Sequence, residues 1–187
     1  MKLGIAVLGA TGYIGTPYRD EIREAGQDTR IVTLCARRRD RLEAAKHKDN
    51  ADLITDDWQA AIEHPEVNCV VIATPDALHF EPVMACAALD KHVFCEKPPA
   101  FTAKDVEEIR CVEKESGKVL MYGFNHRYHE SVVEAFRIIQ SKEMGKVINL
   151  RGVYGKSQLI TFNQSNWIDV KRTIKKGKNF SKCLKIK

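Results

Sequence analysis

Apolar positions along this chain fall into two rhythms. Short runs dominated by apolar residues occupy 3–8, 30–35, 67–73, 92–95 and 118–122, and they predict buried strands. Between them the apolar residues are spaced for helices. Ile14, Tyr18 and Ile22 share one helical face after the first run. Helices are also predicted over 40–48, 57–62, 76–91 and 102–117. Thr102 is placed to cap the last of these and Gly117 to end it. Strands alternating with helices of this length predict a parallel α/β sheet covered on both faces. After Gly123 the rhythm changes. Asn125-His126-Arg127-Tyr128-His129 is a polar and aromatic cluster. A helix carrying Val132, Phe136 and Ile139 follows, then a turn at Met144-Gly145 and a strand over 147–154. The predicted fold class is α/β: a Rossmann-type doubly wound parallel sheet over 1–122, followed by an incomplete α/β second domain over 123–167 and a tail over 168–187.

The first strand runs directly into Gly9-Ala10-Thr11-Gly12-Tyr13-Ile14-Gly15 and then into a helix. Strand, glycine-rich turn and helix is the arrangement that holds a mononucleotide or dinucleotide. Glycine lets the backbone approach a pyrophosphate, and free N–H groups at the helix start receive its charge. The spacing is one residue longer than G-x-G-x-x-G. A purely structural turn remains the alternative. The second strand ends in Cys35-Ala36 and then Arg37-Arg38-Arg39, with no carboxylate before Asp40. A carboxylate at this point would take the ribose hydroxyls of NAD, whereas guanidinium groups suit a 2′-phosphate. Arg37 and Arg38 therefore predict NADP, with NAD as the alternative. Arginines at the solvated start of a helix are the plain reading.

Composition and charge narrow the class. The 187 residues are 44% hydrophobic and 29% charged, as in a soluble globular protein. No apolar run approaches the ~20 residues of a membrane span. Met1-Lys2-Leu3-Gly4 leads into the first strand without a signal peptide, so the cytoplasm is the expected location. The formal charge is +5, but residues 171–187 hold seven Lys, one Arg and no acid; removing them leaves +5 − 8 = −3. The basic character belongs to the tail, so the pI gives no reason to expect a nucleic-acid partner. The six cysteines form no C-x-x-C pair and are expected to be reduced; no metal site is expected.

Ala73-Thr74-Pro75 with His79, Lys91-His92-Val93-Phe94-Cys95-Glu96-Lys97-Pro98, Gly123-Phe124-Asn125-His126-Arg127-Tyr128 and the glycine turn make up an ordered set of motifs. Together they resemble the Gfo/Idh/MocA family, the glucose–fructose oxidoreductase and inositol dehydrogenase relatives, over about 3–167. The resemblance implies an NAD(P)-dependent oxidoreductase that passes a hydride between nicotinamide and a sugar, inositol or related polyol. Full-length relatives are expected to be homo-oligomers. Lys97 is implied as the catalytic cation that holds the substrate oxygen, and Glu96 as its orienter or a ribose contact. The Lys97–Pro98 bond is expected to be cis. Thr74, Pro75 and His79 are implied along the cofactor, although a helix-face histidine is the plain reading of His79. Asn125 is implied at the nicotinamide and Arg127 at the substrate.

The family continues past the 147–154 strand with a glycine-rich segment and then an Asp and a His on a helix. Nothing after Trp167 matches this. The shift to Lys, Ile, Asn and Phe reads as a frameshifted or prematurely ended frame, with a basic tail evolved for a partner as the other reading. The expectations are a folded first domain, a poorly ordered last third, self-association and impaired turnover. A non-catalytic nucleotide-binding or interaction module is the alternative function. A short-chain dehydrogenase would need a Tyr with Lys four residues on, and Tyr13, Tyr18, Tyr122, Tyr128 and Tyr154 all lack one.

Overall fold

A computed structural model describes residues 3–153. The chain divides into two compact units, Met1–Tyr128 and His129–Lys187. In the first unit six parallel strands form one sheet. They are β1 (Leu3–Leu8), β2 (Thr29–Cys35), β3 (Leu53–Thr55), β4 (Cys69–Ile72), β5 (His92–Cys95) and β6 (Leu120–Tyr122), in the order β3-β2-β1-β4-β5-β6. The order reverses beside β1, whose two neighbours are β2 and β4. In open parallel sheets a crevice forms at that reversal, outside the carboxyl ends of the strands.

Both faces of the sheet are buried, and the alternation of side chains along β1 shows how. Ala6 and Leu8 enter one core with Val32, Val70, Ile72 and Val93. Ile5 and Val7 enter the other with Ile31, Leu34 and Val71. The first core is closed by α3 (Trp58–Glu63), α4 (Phe80–Ala88) and α5 (Ala103–Ser116), through Ile62, Val83, Cys86 and Ile109. The second is closed by α1 (Gly15–Glu24) and α2 (Arg39–Asp49), through Tyr18, Ile22, Leu42 and Ala45. Two-sided burial explains why these strands read as apolar runs rather than as alternating ones.

The caps are local chemistry. The Asp57 carboxylate accepts the Gln59 N–H at 2.9 Å, and the Thr102 hydroxyl accepts the Asp105 N–H at 3.1 Å. Gly117 ends α5 in the left-handed region, at φ 62°. The helix expected over 76–91 is shorter. A 3₁₀ turn, Asp76–Leu78, precedes α4, which stops at Ala88 before Asp90 takes φ 58°. The three-residue strand β3 was not anticipated, since Leu-Ile-Thr is too short to show a period.

In the second unit α6 (Glu130–Ser141) forms where the helical spacing predicts it. The strand expected over 147–154 is not formed by residues 147–153, and Tyr154 lies outside the described residues. A strand needs a neighbour for its N–H and C=O groups, and none is described here. The first unit continues through the 3₁₀ turn Asn125–Tyr128, so this division falls after the expected 122/123 boundary. The tail over 168–187, and the disorder expected across 160–187, lie outside the described residues.

Candidate dinucleotide site at the carboxyl edge of the sheet

Of the loops that leave the carboxyl ends of the six strands, those after β1, β2, β4, β5 and β6 carry residues singled out by the sequence. The glycine turn follows β1. Gly9 takes φ +79°, and a Cβ on it would sit 2.4 Å from the Ala73 carbonyl oxygen, so the turn closes directly on the loop after β4. A Cβ on Gly15 would sit 2.2 Å from the Gly9 oxygen. Gly9 N–H and Ala10 N–H both donate to Cys35 O, at 2.9 and 3.1 Å. Gly9 and Ala10 therefore shape the turn from inside. The outward groups are those of Thr11, Gly12, Tyr13 and Ile14, with Tyr13 93% exposed. Among the described residues no backbone acceptor takes the N–H of Thr11, Tyr13, Ile14 or Gly15. Free donors at a helix start, beside an exposed Gly12, fit a pyrophosphate.

Arg19 on α1 is the part of this turn that sequence reasoning missed. It is 5% exposed, and its guanidinium donates to Ala10 O at 3.1 Å and pairs with Asp49 at the end of α2. The Asp49 carboxylate is wholly buried and also takes Arg23, at 2.6 Å. A signal was present in the spacing: Arg19 stands four residues after Gly15, on the same buried stripe.

Arg37 and Arg38 are exposed at the end of β2. Arg39 is engaged by Glu43 at 2.8 Å, whereas the first two have no acidic partner among the described residues. Thr74 and Pro75 follow β4, and the Thr74 hydroxyl donates to Leu78 O at 3.2 Å.

His79 does not line a surface. It is fully buried, its Nδ1 lies 2.7 Å from Pro98 O, and its Nε2 lies 2.8 Å from Thr74 O. The expectation of a direct cofactor contact is corrected, because both ring nitrogens are taken by backbone inside the protein.

Glu96, Lys97 and Pro98 follow β5, and the Lys97–Pro98 peptide is cis. Lys97 is exposed, and its ammonium has no acceptor among the described residues. Glu96 is half-buried, and its carboxylate is engaged from two sides. Its Oε1 accepts the Tyr18 hydroxyl at 2.5 Å, and its Oε2 accepts the Lys97 backbone N–H at 3.2 Å. Gly123 leaves room for that carboxylate: a Cβ there would lie 3.2 Å from Oε1. Burial, and after it the bond to Glu96, raises the Tyr18 pKa above the ordinary tyrosine value. The Phe94 ring packs edge-on against Tyr18 at 5.2 Å. Asn125 and Arg127 lie exposed in the turn after β6.

The described cysteines, 35, 69, 86, 95 and 111, are all free. Burial pushes Cys35 up to about 11, and Cys86 and Cys95 up to about 12, so these three are core thiols rather than nucleophiles.

A glycine turn at the reversal of a doubly wound parallel sheet, with free N–H groups and a lysine loop two strands away, defines a dinucleotide-binding domain. Residues 3–124 match the family described as "Oxidoreductase family, NAD-binding Rossmann fold". The chain belongs to this Gfo/Idh/MocA family. It is 36% identical to a levoglucosan dehydrogenase of Pseudarthrobacter phenanthrenivorans over 100 residues, covering 54% of this chain and 26% of that protein. It is 30% identical to a myo-inositol 2-dehydrogenase of Thermotoga maritima over 151 residues, covering 81% of this chain and 44% of that one. The crystal structure of a myo-inositol 2-dehydrogenase from Lactobacillus plantarum superposes with a TM-score of 0.69 at 26% identity, covering 79% of this chain and 44% of that one. The chain thus spans less than half the length of these relatives.

Proposed function

We propose that the first unit binds NADP(H) in preference to NAD(H). We further propose that the chain serves a hydride transfer between nicotinamide and a sugar, inositol or related polyol. The observation that carries the reading is the placement of Lys97. Parallel pairing of β4 with β5 sets its loop beside Thr74–Pro75, which lies against the glycine turn, and its exposed ammonium has no acceptor among the described residues. In this reading the N–H groups of Thr11, Tyr13, Ile14 and Gly15 receive the pyrophosphate, and Gly12 lets it approach. Arg37 and Arg38 take the 2′-phosphate, by charge-assisted contacts for which no carboxylate among the described residues competes. Thr74, Pro75 and Asn125 border the nicotinamide end. When bound, the cofactor supplies hydride acceptance or donation at the nicotinamide ring. Lys97 holds the substrate oxygen and stabilises its developing negative charge, and Arg127 binds substrate. The relatives, a levoglucosan dehydrogenase and a myo-inositol 2-dehydrogenase, support a sugar or polyol of that size as the small-molecule partner. The reading places the chain in the cytoplasm; among the described residues no helix is long and apolar enough to cross a membrane.

The second reading is a nucleotide-binding module without turnover. It takes its ground from coverage: these residues span 26% and 44% of the two dehydrogenases, so nucleotide binding and turnover are separate questions for them. Fluorescence titration with NADPH and NADH, followed by turnover assays with myo-inositol and glucose, separates the two. Saturable NADPH binding with turnover supports the first reading, and binding with none supports the second. Tighter NADH than NADPH binding removes the role of Arg37 and Arg38.

A further inference from the structure

We infer that His79 is a positioning residue that locks the loop after β4 to the Lys97–Pro98 peptide, and so sets where Lys97 stands relative to the glycine turn. The inference rests on the proposed role of these loops at the nicotinamide end.

The ring is 0% exposed and sits between two backbone carbonyls from different loops, Pro98 O at 2.7 Å and Thr74 O at 2.8 Å. Both partners are acceptors. Both ring nitrogens lie within hydrogen-bond distance of these oxygens, so one side chain spans the two loops.

The bridge closes a circuit. The glycine turn rests on Ala73, since a Cβ at Gly9 would lie 2.4 Å from the Ala73 oxygen. His79 carries that loop to Pro98. Glu96, two residues before Pro98, is held by the Tyr18 hydroxyl. Tyr18 stands on α1, which grows out of the glycine turn. The Thr74–His79–Pro98 link depends on a single side chain, and it spans the two loops nearest Lys97.

Three readouts on the 187-residue chain test this. The first is nitrogen–proton NMR of the histidine rings in the unaltered chain, with His79 assigned by its loss in His79→Phe. The expected result is a ring N–H signal of His79 that exchanges slowly with water. A His79 ring proton that exchanges as fast as those of the exposed histidines would overturn the bridge. The second is hydrogen exchange in His79→Phe, which keeps a ring but no donor. Exchange is expected to rise in residues 74–78 and 96–101 and to stay unchanged in Val70–Ile72. A uniform rise across the sheet would mean a general core role and sink the inference. If His79→Phe does not fold, His79→Asn, which can serve one carbonyl, takes its place.

The third readout compares NADPH or NADH, whichever binds the unaltered chain more tightly, with ADP-ribose, which lacks the nicotinamide. The substitution is expected to weaken the dinucleotide about tenfold and ADP-ribose less than about twofold. Equal loss for both would overturn the positioning role. If the unaltered chain binds neither dinucleotide, the proposed function fails, and the ring protons and exchange still decide whether the bridge exists.

Discussion

The Tyr18 hydroxyl donates to Glu96 Oε1 at 2.5 Å, joining the helix after the glycine turn to the loop that carries Lys97. Tyr18 reads in the sequence as one of three apolar residues on a helix face, and its ring does pack into the core. Its oxygen does something the periodicity could not show: it holds a carboxylate that would otherwise be available to the neighbouring ammonium. Tyr18→Phe is expected to cost about 1.5 kcal/mol in urea unfolding, the scale of a hydrogen bond to a charged group. An unchanged midpoint would show that Glu96 finds an equivalent donor.

Arg19 and Asp49 form a buried ion pair in the first unit. Arg19→Met leaves Asp49 buried with only Arg23 facing it. The expected loss is about 3 kcal/mol, near the lower end for breaking a buried pair. Arg19→Met combined with Asp49→Leu should recover much of it, because no uncompensated buried carboxylate then remains. Denaturant unfolding of the single and double variants reads the difference.

Gly9 and Gly26 both hold positive φ, at +79° and +85°, yet their substitutions should differ. At Gly26 a methyl group would meet nothing within 4 Å, so Gly26→Ala costs about 1 kcal/mol from backbone strain alone. Gly9→Ala adds a clash with the Ala73 oxygen and should cost distinctly more, with loss of dinucleotide binding. Thermal melts of the two variants, with and without NADPH, check the order.

Arg37→Ala and Arg38→Ala should each weaken NADPH binding about tenfold, as expected for one charge-assisted contact, and leave NADH binding nearly unchanged. Neither guanidinium has an acidic partner among the described residues, so little stability should be lost. Equal weakening of both nucleotides would assign the arginines to general electrostatic attraction.

Stability should fall at alkaline pH. The buried thiols of Cys35, Cys86 and Cys95 ionise in the folded protein at about 11 to 12, against 9.0 when unfolded. A folded-state value above the unfolded one means that the folded state binds more protons between the two. The contribution is therefore fully present below pH 9 and is lost as pH rises toward 11 to 12. The loss is about 1 kcal/mol per thiol at pH 10. Melting temperatures at pH 8 and pH 10 measure it, and Cys86→Ser should reduce the slope.

The sequence by itself determined five of the six strands, the helices to within their ends and the glycine turn of the first unit, because these rest on local signals. Val- and Ile-rich runs, a Thr cap, a Gly stop and glycines three apart each act within a few residues. It also determined which loops matter, since the residues of Ala73–Pro75 and Glu96–Pro98 stand at strand ends in any parallel arrangement. What only the tertiary structure decided are contacts between residues far apart in the chain. Arg19 looks like a solvated helix charge until α2 brings Asp49 beneath it. His79 looks like a ligand contact until β4 and β5 pair and two carbonyls close on its ring. Glu96 looks like a partner of Lys97 until Tyr18 reaches it from 78 residues away. Arg19 and His79 are buried, and Glu96 half-buried, by packing that no local pattern encodes, and loss of water is what drives each to the partner it has.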